Sequence, residues 1–228
     1  MTRDYFIQIL PELIKDYQPL PEALALIGSI DLLMIIGGTS AGKTAIIKRL
    51  GVPYVITDTT RPIRPEEING SDYFFRTDYE ELISEIRNRD FVQVAIGPAG
   101  DFYGTRSSSY PEVGLAVYAI VADVIPQFRE LGFNETTSAF VVPPTFSEWM
   151  DRMDRHGIEK DQLQKRLEEA KRSFNFALND QQTHFIYNEN LNKAVEQTKA
   201  LINGRSDPER ETRARQAAQA IYQDLSFV

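Results

Sequence analysis

The chain has 228 residues, 42% hydrophobic and 11% aromatic, enough to bury a full core as one main domain with a small appendage or insertion. A formal net charge of -8 and a pI near 4.9 exclude bulk electrostatic attraction to nucleic acid or to an anionic membrane, so neither is expected as a partner and phosphate must be held by locally grouped Arg and Lys. The absence of cysteine removes disulfide and thiolate chemistry, and His156 and His184 leave little scope for a histidine metal site or triad; with no membrane-length apolar run and no signal layout at Met1-Thr2-Arg3-Asp4, a cytoplasmic location is expected.

In chain order, Asp4 to Tyr17 reads as a helical segment broken by Pro11, with Pro19 and Pro21 before a second short apolar helix. Residues 1–30 are expected to form an N-terminal helical extension that covers a sheet edge or makes a homodimer contact. The apolar run Leu32-Leu33-Met34-Ile35-Ile36 reads as a strand. Directly after it stands Gly37-Gly38-Thr39-Ser40-Ala41-Gly42-Lys43-Thr44, the pattern G-x-x-x-x-G-K-[ST] of a phosphate-binding loop, followed by the helix formers Ala45 to Leu50. Glycines let successive backbone N–H groups turn around phosphate oxygens, and the helix adds the positive end of its dipole. Lys43 is expected to reach the β- and γ-phosphates of ATP, and the Thr44 hydroxyl to ligate Mg²⁺.

Beyond the loop, Tyr54-Val55-Ile56 reads as a strand, Thr57 to Asp72 as a charged, Pro-rich stretch, and Tyr73-Phe74-Phe75 as an aromatic strand. Asp78 starts a helix through Asn88, and Phe91 to Ala95 reads as a strand that ends in the turn Gly97 to Asp101. Ala116 to Val121 and Ala139 to Val142 read as strands covered on both faces, the second closed by Pro143-Pro144. Thr145 to Leu178 is helical, Phe185-Ile186-Tyr187 a last strand, and Leu191 to Asn203 a helix. From Asp207 to Leu225 a helix is expected to dock through Ala217, Ala220, Ile221 and Leu225. Strands alternating with helices predict an α/β fold, a three-layer sandwich with a parallel sheet core.

The stretch Thr59-Thr60-Arg61-Pro62-Ile63-Arg64-Pro65-Glu66-Glu67-Ile68-Asn69-Gly70-Ser71-Asp72-Tyr73-Phe74-Phe75 meets every specified position of T-T-R-x-x-R-x-x-E-x-x-G-x-x-Y-x-F, and here the chain resembles the guanylate kinase family. Phe102-Tyr103-Gly104-Thr105 is similar to that family's Y-Y-G-[ST], Phe140 to Pro144 to its strand ending in Pro-Pro, Arg152 to Arg166 to its lid, and Tyr187-Asn188-Glu189-Asn190 to its V-N-D-D. The likeness covers about Leu32 to Ile202. It implies a core at 31–56, 115–145 and 168–228, a monophosphate-binding region at 57–114 and an Arg-rich lid at 146–167.

The resemblance assigns Gly37 to Thr44 and Asn188 to ATP, and Arg61, Arg64, Tyr73 and Tyr103 to the acceptor phosphate. Glu67 would orient the arginines or the base. Two guanidinium forks with tyrosine hydroxyls suit a dianionic monophosphate; alone, Arg61 and Arg64 would read as loop charges paired with Glu66 and Glu67. Arg152, Arg155 and Arg166 are the lid candidates for stabilising the transferred phosphoryl group alongside Lys43. In Arg155-His156-Gly157 either of the first two residues could take the family's arginine position, and His156 reads as a bystander rather than a base. Thr57 and Thr105 stand where the family places hydroxyls near guanine O6. The family's base-binding glutamate falls on Gln93, a neutral acceptor, and its aspartate maps to Asp123. The short link from Lys43 to Thr57 suggests a trimmed helix or a missing loop rather than a changed mechanism. The implied reaction is ATP-dependent phosphorylation of a purine nucleoside monophosphate, GMP first, with IMP as the alternative because of Gln93. A catalytically lost protein-binding module is the other class, disfavoured by the presence of Lys43 and Thr44.

Overall fold

A computed structural model describes residues 1–64, 67–97, 99–158 and 160–227; Glu66 of the expected ion pairs lies outside them. The chain divides into two compact units, one comprising Met1–Asp31, Pro53–Ala116 and Glu130–Glu135, the other Leu32–Val52, Val117–Arg129 and Thr136–Val228.

Helices α1 (Arg3–Ile14) and α2 (Pro21–Ile27) open the first unit. Its sheet is built from β2 (Thr57–Thr59), β3 (Tyr73–Phe75), β4 (Phe91–Ile96) and β5 (Phe102–Arg106), in the order β3-β2-β5-β4. The β2/β3 pair is parallel and the pairs with β5 are antiparallel, so this sheet is mixed. Helix α4 (Tyr79–Asn88) begins as expected, with the Asp78 carboxylate accepting the Glu81 amide. Phe6 and Leu10 of α1 join Leu82, Ile83 and Ile86 of α4 and Phe91, Val94 and Phe102 of the sheet in one core. The N-terminal residues are therefore packed into the same unit as the stretch from Thr59 to Phe75. Pro11 does not break α1. An interior proline costs about 3 kcal/mol, and two fully buried side chains on one helix face, at roughly 1.5–3 kcal/mol each, offset it.

The second unit is organised on β1 (Ile30–Ile36), β6 (Gly114–Ala119), β7 (Glu135–Val142) and β8 (Thr183–Tyr187), in the order β6-β1-β7-β8. Strands β7 and β8 run parallel with Phe140 opposite Phe185. Five consecutive residues of β1, Leu32 to Ile36, are buried, the pattern of a strand covered on both faces. Helix α3 (Lys43–Leu50) follows β1, and α5 (Ile125–Glu130) follows β6. Helices α6 (Phe146–Arg155), α7 (Lys160–Asn179), α8 (Leu191–Ile202) and α9 (Pro208–Asp224) complete the chain. Helix α3 packs on α8, and α9 packs on β8 and α7. No helix among the described residues is long and apolar enough to cross a membrane.

Four expectations need correcting. The strand expected at Tyr54–Ile56 begins at Thr57 instead, and β5 was read only as a motif. Both shifts arise because Thr57, Asp58, Thr59 and Thr105 are polar yet buried, which hides the strands from a hydropathy reading. The helical run from Thr145 is two helices, separated where Gly157 takes a positive φ of 65°. The buried face of α9 is Ala214, Ala218, Ile221 and Leu225, while Ala220 is exposed; spacings of 4, 3 and 4 describe one helical stripe.

Candidate active site

In the second unit, residues 37–42 connect β1 to α3. Gly42 caps the helix with φ 104°, and a Cβ there would overlap the Asn188 amide nitrogen. That amide nitrogen donates to the Ala41 carbonyl at 2.7 Å, and the Asn188 backbone N–H donates to Val142 at 2.8 Å, so Asn188 ties the ends of β7 and β8 to the loop. The Lys43 ammonium folds back on the loop, donating to the carbonyls of Gly37 (2.5 Å) and Gly38 (2.9 Å). Burial pushes its pKa down to about 8; the charge of Arg166 adds to the fall and that of Glu169 opposes it. Thr44 lies in the first turn of α3, exposed, and its hydroxyl is the kind of hard oxygen that Mg²⁺ takes.

Trp149, which sequence reasoning passed over, and His156 both hold this loop. Trp149 of α6, fully buried, donates its indole N–H to the Thr39 carbonyl at 2.7 Å, and a Cβ on Gly38 would come within 2.5 Å of its ring. The sole tryptophan in the second turn of an amphipathic helix was the available signal, but it does not name the carbonyl it meets. His156, read as a bystander, lies with Nδ1 2.8 Å from Ser40 Oγ. Ser40 holds a positive φ of 61°, uncommon for a residue with a Cβ.

The three arginines expected in a lid are placed differently. Arg152 donates to Glu148 (2.7 Å) and to the Asn188 carbonyl (2.9 Å), joining α6 to the strand end beside the loop. Arg166 pairs with Glu169 at 3.1 Å, and both charges act on Lys43. Arg155 is exposed and donates to the Asp151 carbonyl of its own helix.

In the first unit, the Arg61 guanidinium makes a two-pronged pair with Glu67, at 2.9 and 2.7 Å, while Glu67 also accepts the Arg64 amide at 2.9 Å. Arg61 lies over the Tyr73 ring, 4.9 Å from its centroid, and Tyr73 meets Tyr103 edge to face at 6.3 Å. Burial alone would raise the Glu67 carboxyl; the hydrogen bonds from Arg61 and the Arg64 amide, with both guanidinium charges, hold it below the usual range instead. Burial, with Tyr103 adding, raises the Tyr73 phenol, so it stays a neutral hydroxyl at physiological pH. Arg61, Arg64, Glu67, Tyr73 and Tyr103 are thus gathered by one local fold. The ion pair from Arg64 to Glu67, at 3.8 Å, is longer than that from Arg61.

Gln93 and Thr105 face each other across β4 and β5, and both are buried, as is Thr57. Thr105 Oγ1 accepts from the Tyr110 hydroxyl at 3.0 Å. Asp123, in the second unit, sits exposed in a 3₁₀ turn at Ala122–Val124 rather than at the end of a strand. Sequence reasoning also missed Asp58, 1% exposed, which accepts from Arg76 (2.7 Å) and from Arg106 (3.0 and 3.2 Å). It sits between Thr57 and Thr59 and anchors β2, the strand that leads into Arg61. Among the described residues no cluster of three His, Cys, Asp or Glu could hold a metal ion.

The model of the guanylate kinase family matches residues 30–205. The chain is similar to the guanylate kinase of Thermotoga maritima, 32% identical over 180 residues that cover 75% of this chain and 85% of that one. It is also similar to the guanylate kinase of Mycoplasmoides gallisepticum, 33% identical over 183 residues covering 75% and 91%. Its fold resembles the crystal structure of guanylate kinase from Anaplasma phagocytophilum, with a TM-score of 0.57 at 20% identity, over 82% of this chain and 89% of that one.

Proposed function

This chain belongs to the guanylate kinase family, a family of nucleoside monophosphate kinases, and from that premise we propose that it transfers the γ-phosphoryl group of ATP to the phosphate of GMP, giving ADP and GDP in the cytoplasm. The observation that carries the substrate reading is the acceptor arm: Arg61 squared against Glu67, Arg64 beside it, and the Tyr73 and Tyr103 hydroxyls close by. Two forks and two phenols match a dianionic phosphate, and Glu67 holds Arg61 in one orientation before substrate arrives.

Phosphoryl transfer asks for positioning and charge neutralisation more than for an acid or a base. Lys43 takes the β- and γ-oxygens of ATP when its ammonium leaves the loop carbonyls, and the backbone N–H groups of Gly37 to Thr44 hold the rest of the triphosphate. The Thr44 hydroxyl would hold Mg²⁺, which would supply further neutralisation of phosphate charge. Arg166, whose charge already acts on Lys43, stabilises the transferred group, and Arg152 fixes Asn188 and hence the loop. Thr57, Gln93 and Thr105 read the base. Gln93 offers one neutral acceptor, worth about 1 kcal/mol against about 1.5–3 for a charged one, so guanine is held less firmly than a carboxylate would hold it.

A coupled ADP-release assay with MgATP and GMP, dGMP, IMP, AMP or UMP tests this, with Gln93→Glu in parallel. Turnover is expected with GMP and dGMP well above AMP and UMP, and Gln93→Glu should widen the margin of GMP over IMP. Comparable rates with AMP or UMP would refute the base assignment.

A further inference from the structure

We propose that Arg3, at the start of α1, is a positioning residue for the acceptor-phosphate arm, acting through Asp101 and Thr60. The proposal rests on the reading of Arg61 and Arg64 as acceptor-phosphate ligands. Residues 1–29 precede the stretch that the family model matches.

The connection is a short series of hydrogen bonds within one compact unit. Arg3 Nη2 donates to Asp101 Oδ1 at 2.6 Å, and Asp101 is 3% exposed. The same oxygen accepts from the Thr60 hydroxyl at 3.3 Å. Thr60 Oγ1 in turn accepts the Phe102 amide at 3.0 Å, and the Thr60 amide donates to the Phe102 carbonyl at 3.2 Å. Thr60 is the peptide neighbour of Arg61, whose own amide donates to Thr59 Oγ1 at 3.2 Å. Both backbone groups at the entry to the arm are therefore pinned, and the Thr60 hydroxyl is oriented by Asp101.

A buried carboxylate needs a counter-charge, and among the described residues Arg3 is the cation paired with this one. Without it, the buried Asp101 carboxylate is left unpaired and turns toward solvent, which alters what Thr60 hydrogen-bonds. Helix α1 is well placed to hold Arg3 in register. Phe6 and Leu10 are fully buried against α4 and the sheet. Just beyond the other end of α1 the Tyr17 hydroxyl donates to the Phe91 carbonyl (2.7 Å) and accepts the Phe91 amide (2.9 Å), two residues before Gln93. Burial pushes the Tyr17 phenol up to about 12, which keeps that donor in place at any physiological pH. The extension thus grips the acceptor unit at the strand that leads to Gln93 and at the turn that supports Arg61.

The test uses the full chain and the variants Arg3→Met, Arg3→Lys and Asp101→Asn, with GMP and MgATP varied separately, GMP binding measured by calorimetry, and thermal unfolding followed. Arg3→Met should raise KM and Kd for GMP by about 3- to 10-fold while kcat and KM for ATP stay within about 2-fold, the scale on which network residues couple to a distant site. Asp101→Asn should act in the same direction, and Arg3→Lys should restore most of the affinity. An unchanged GMP affinity in Arg3→Met overturns the proposal. So does a parallel fall in kcat, both KM-based affinities and melting temperature that Arg3→Lys does not rescue, which would mark a purely structural role. Failure of the unaltered chain to turn over GMP refutes the proposed reaction itself, and shows before any variant is compared.

Discussion

Binding of ATP to this chain should take up a proton at alkaline pH, and the structure sets the size of the effect. In the ligand-free protein burial holds Lys43 at a pKa of about 8, its ammonium donating to two loop carbonyls. A triphosphate against the same ammonium favours the charged form and returns the pKa to its ordinary value of ~10.4 or above. At pH 9 about one free molecule in eleven carries the proton on Lys43, whereas nearly every complex does, so binding takes up ~0.9 proton. The apparent affinity for MgATP should then weaken by about 10-fold, or ~1.4 kcal/mol, between pH 7 and pH 9. Titration calorimetry at pH 9 in two buffers of different ionisation enthalpy reads the proton number from the change in observed heat. A heat independent of buffer, with affinity flat from pH 7 to 9, would refute the argument. Stability moves the other way. From pH ~8 to ~10.4 the unfolded chain holds more protons on this lysine than the folded one, so Lys43 makes the ligand-free protein more stable as pH rises through that window.

Gly42→Ala should weaken MgATP at least ~10-fold, because the residue's φ of 104° costs a Cβ-bearing residue about 1–2 kcal/mol and the new methyl displaces Asn188 from the Ala41 carbonyl; unchanged binding by calorimetry would sink this reading. Asp58→Asn leaves Arg76 and Arg106 without their shared buried carboxylate and should cost about 3 kcal/mol, a fall of roughly 6–12 °C in melting temperature. A shift under about 2 °C would show that Glu85, which contacts both guanidiniums, compensates fully.

The parts of the site that were legible in the sequence are those built from neighbours in the chain. The loop from Gly37 to Thr44 is a contiguous set of backbone conformations and side chains, and the arm from Arg61 to Tyr73 closes on itself through Glu67, six residues from Arg61. Helix starts at Asp78 and Thr145 were marked by side chains that accept an amide three residues on. Strand β2 was misplaced because its aspartate is acceptable inside only where Arg76 and Arg106, 18 and 48 residues away, neutralise it.

Residue type and local spacing by themselves determined that this chain carries a nucleoside-triphosphate loop and an α/β fold, since each depends on dihedral preferences and periodicities within a few turns of chain, while the monophosphate arm was read from its resemblance to a family motif. Tertiary structure alone decided which side chains support them. Trp149 reaches Thr39 across 110 residues, His156 reaches Ser40 across 116, and Arg3 reaches Asp101 across 98. Such partners are chosen by the need to satisfy a buried carbonyl or carboxylate, and that need comes into being only once the chain has folded around it.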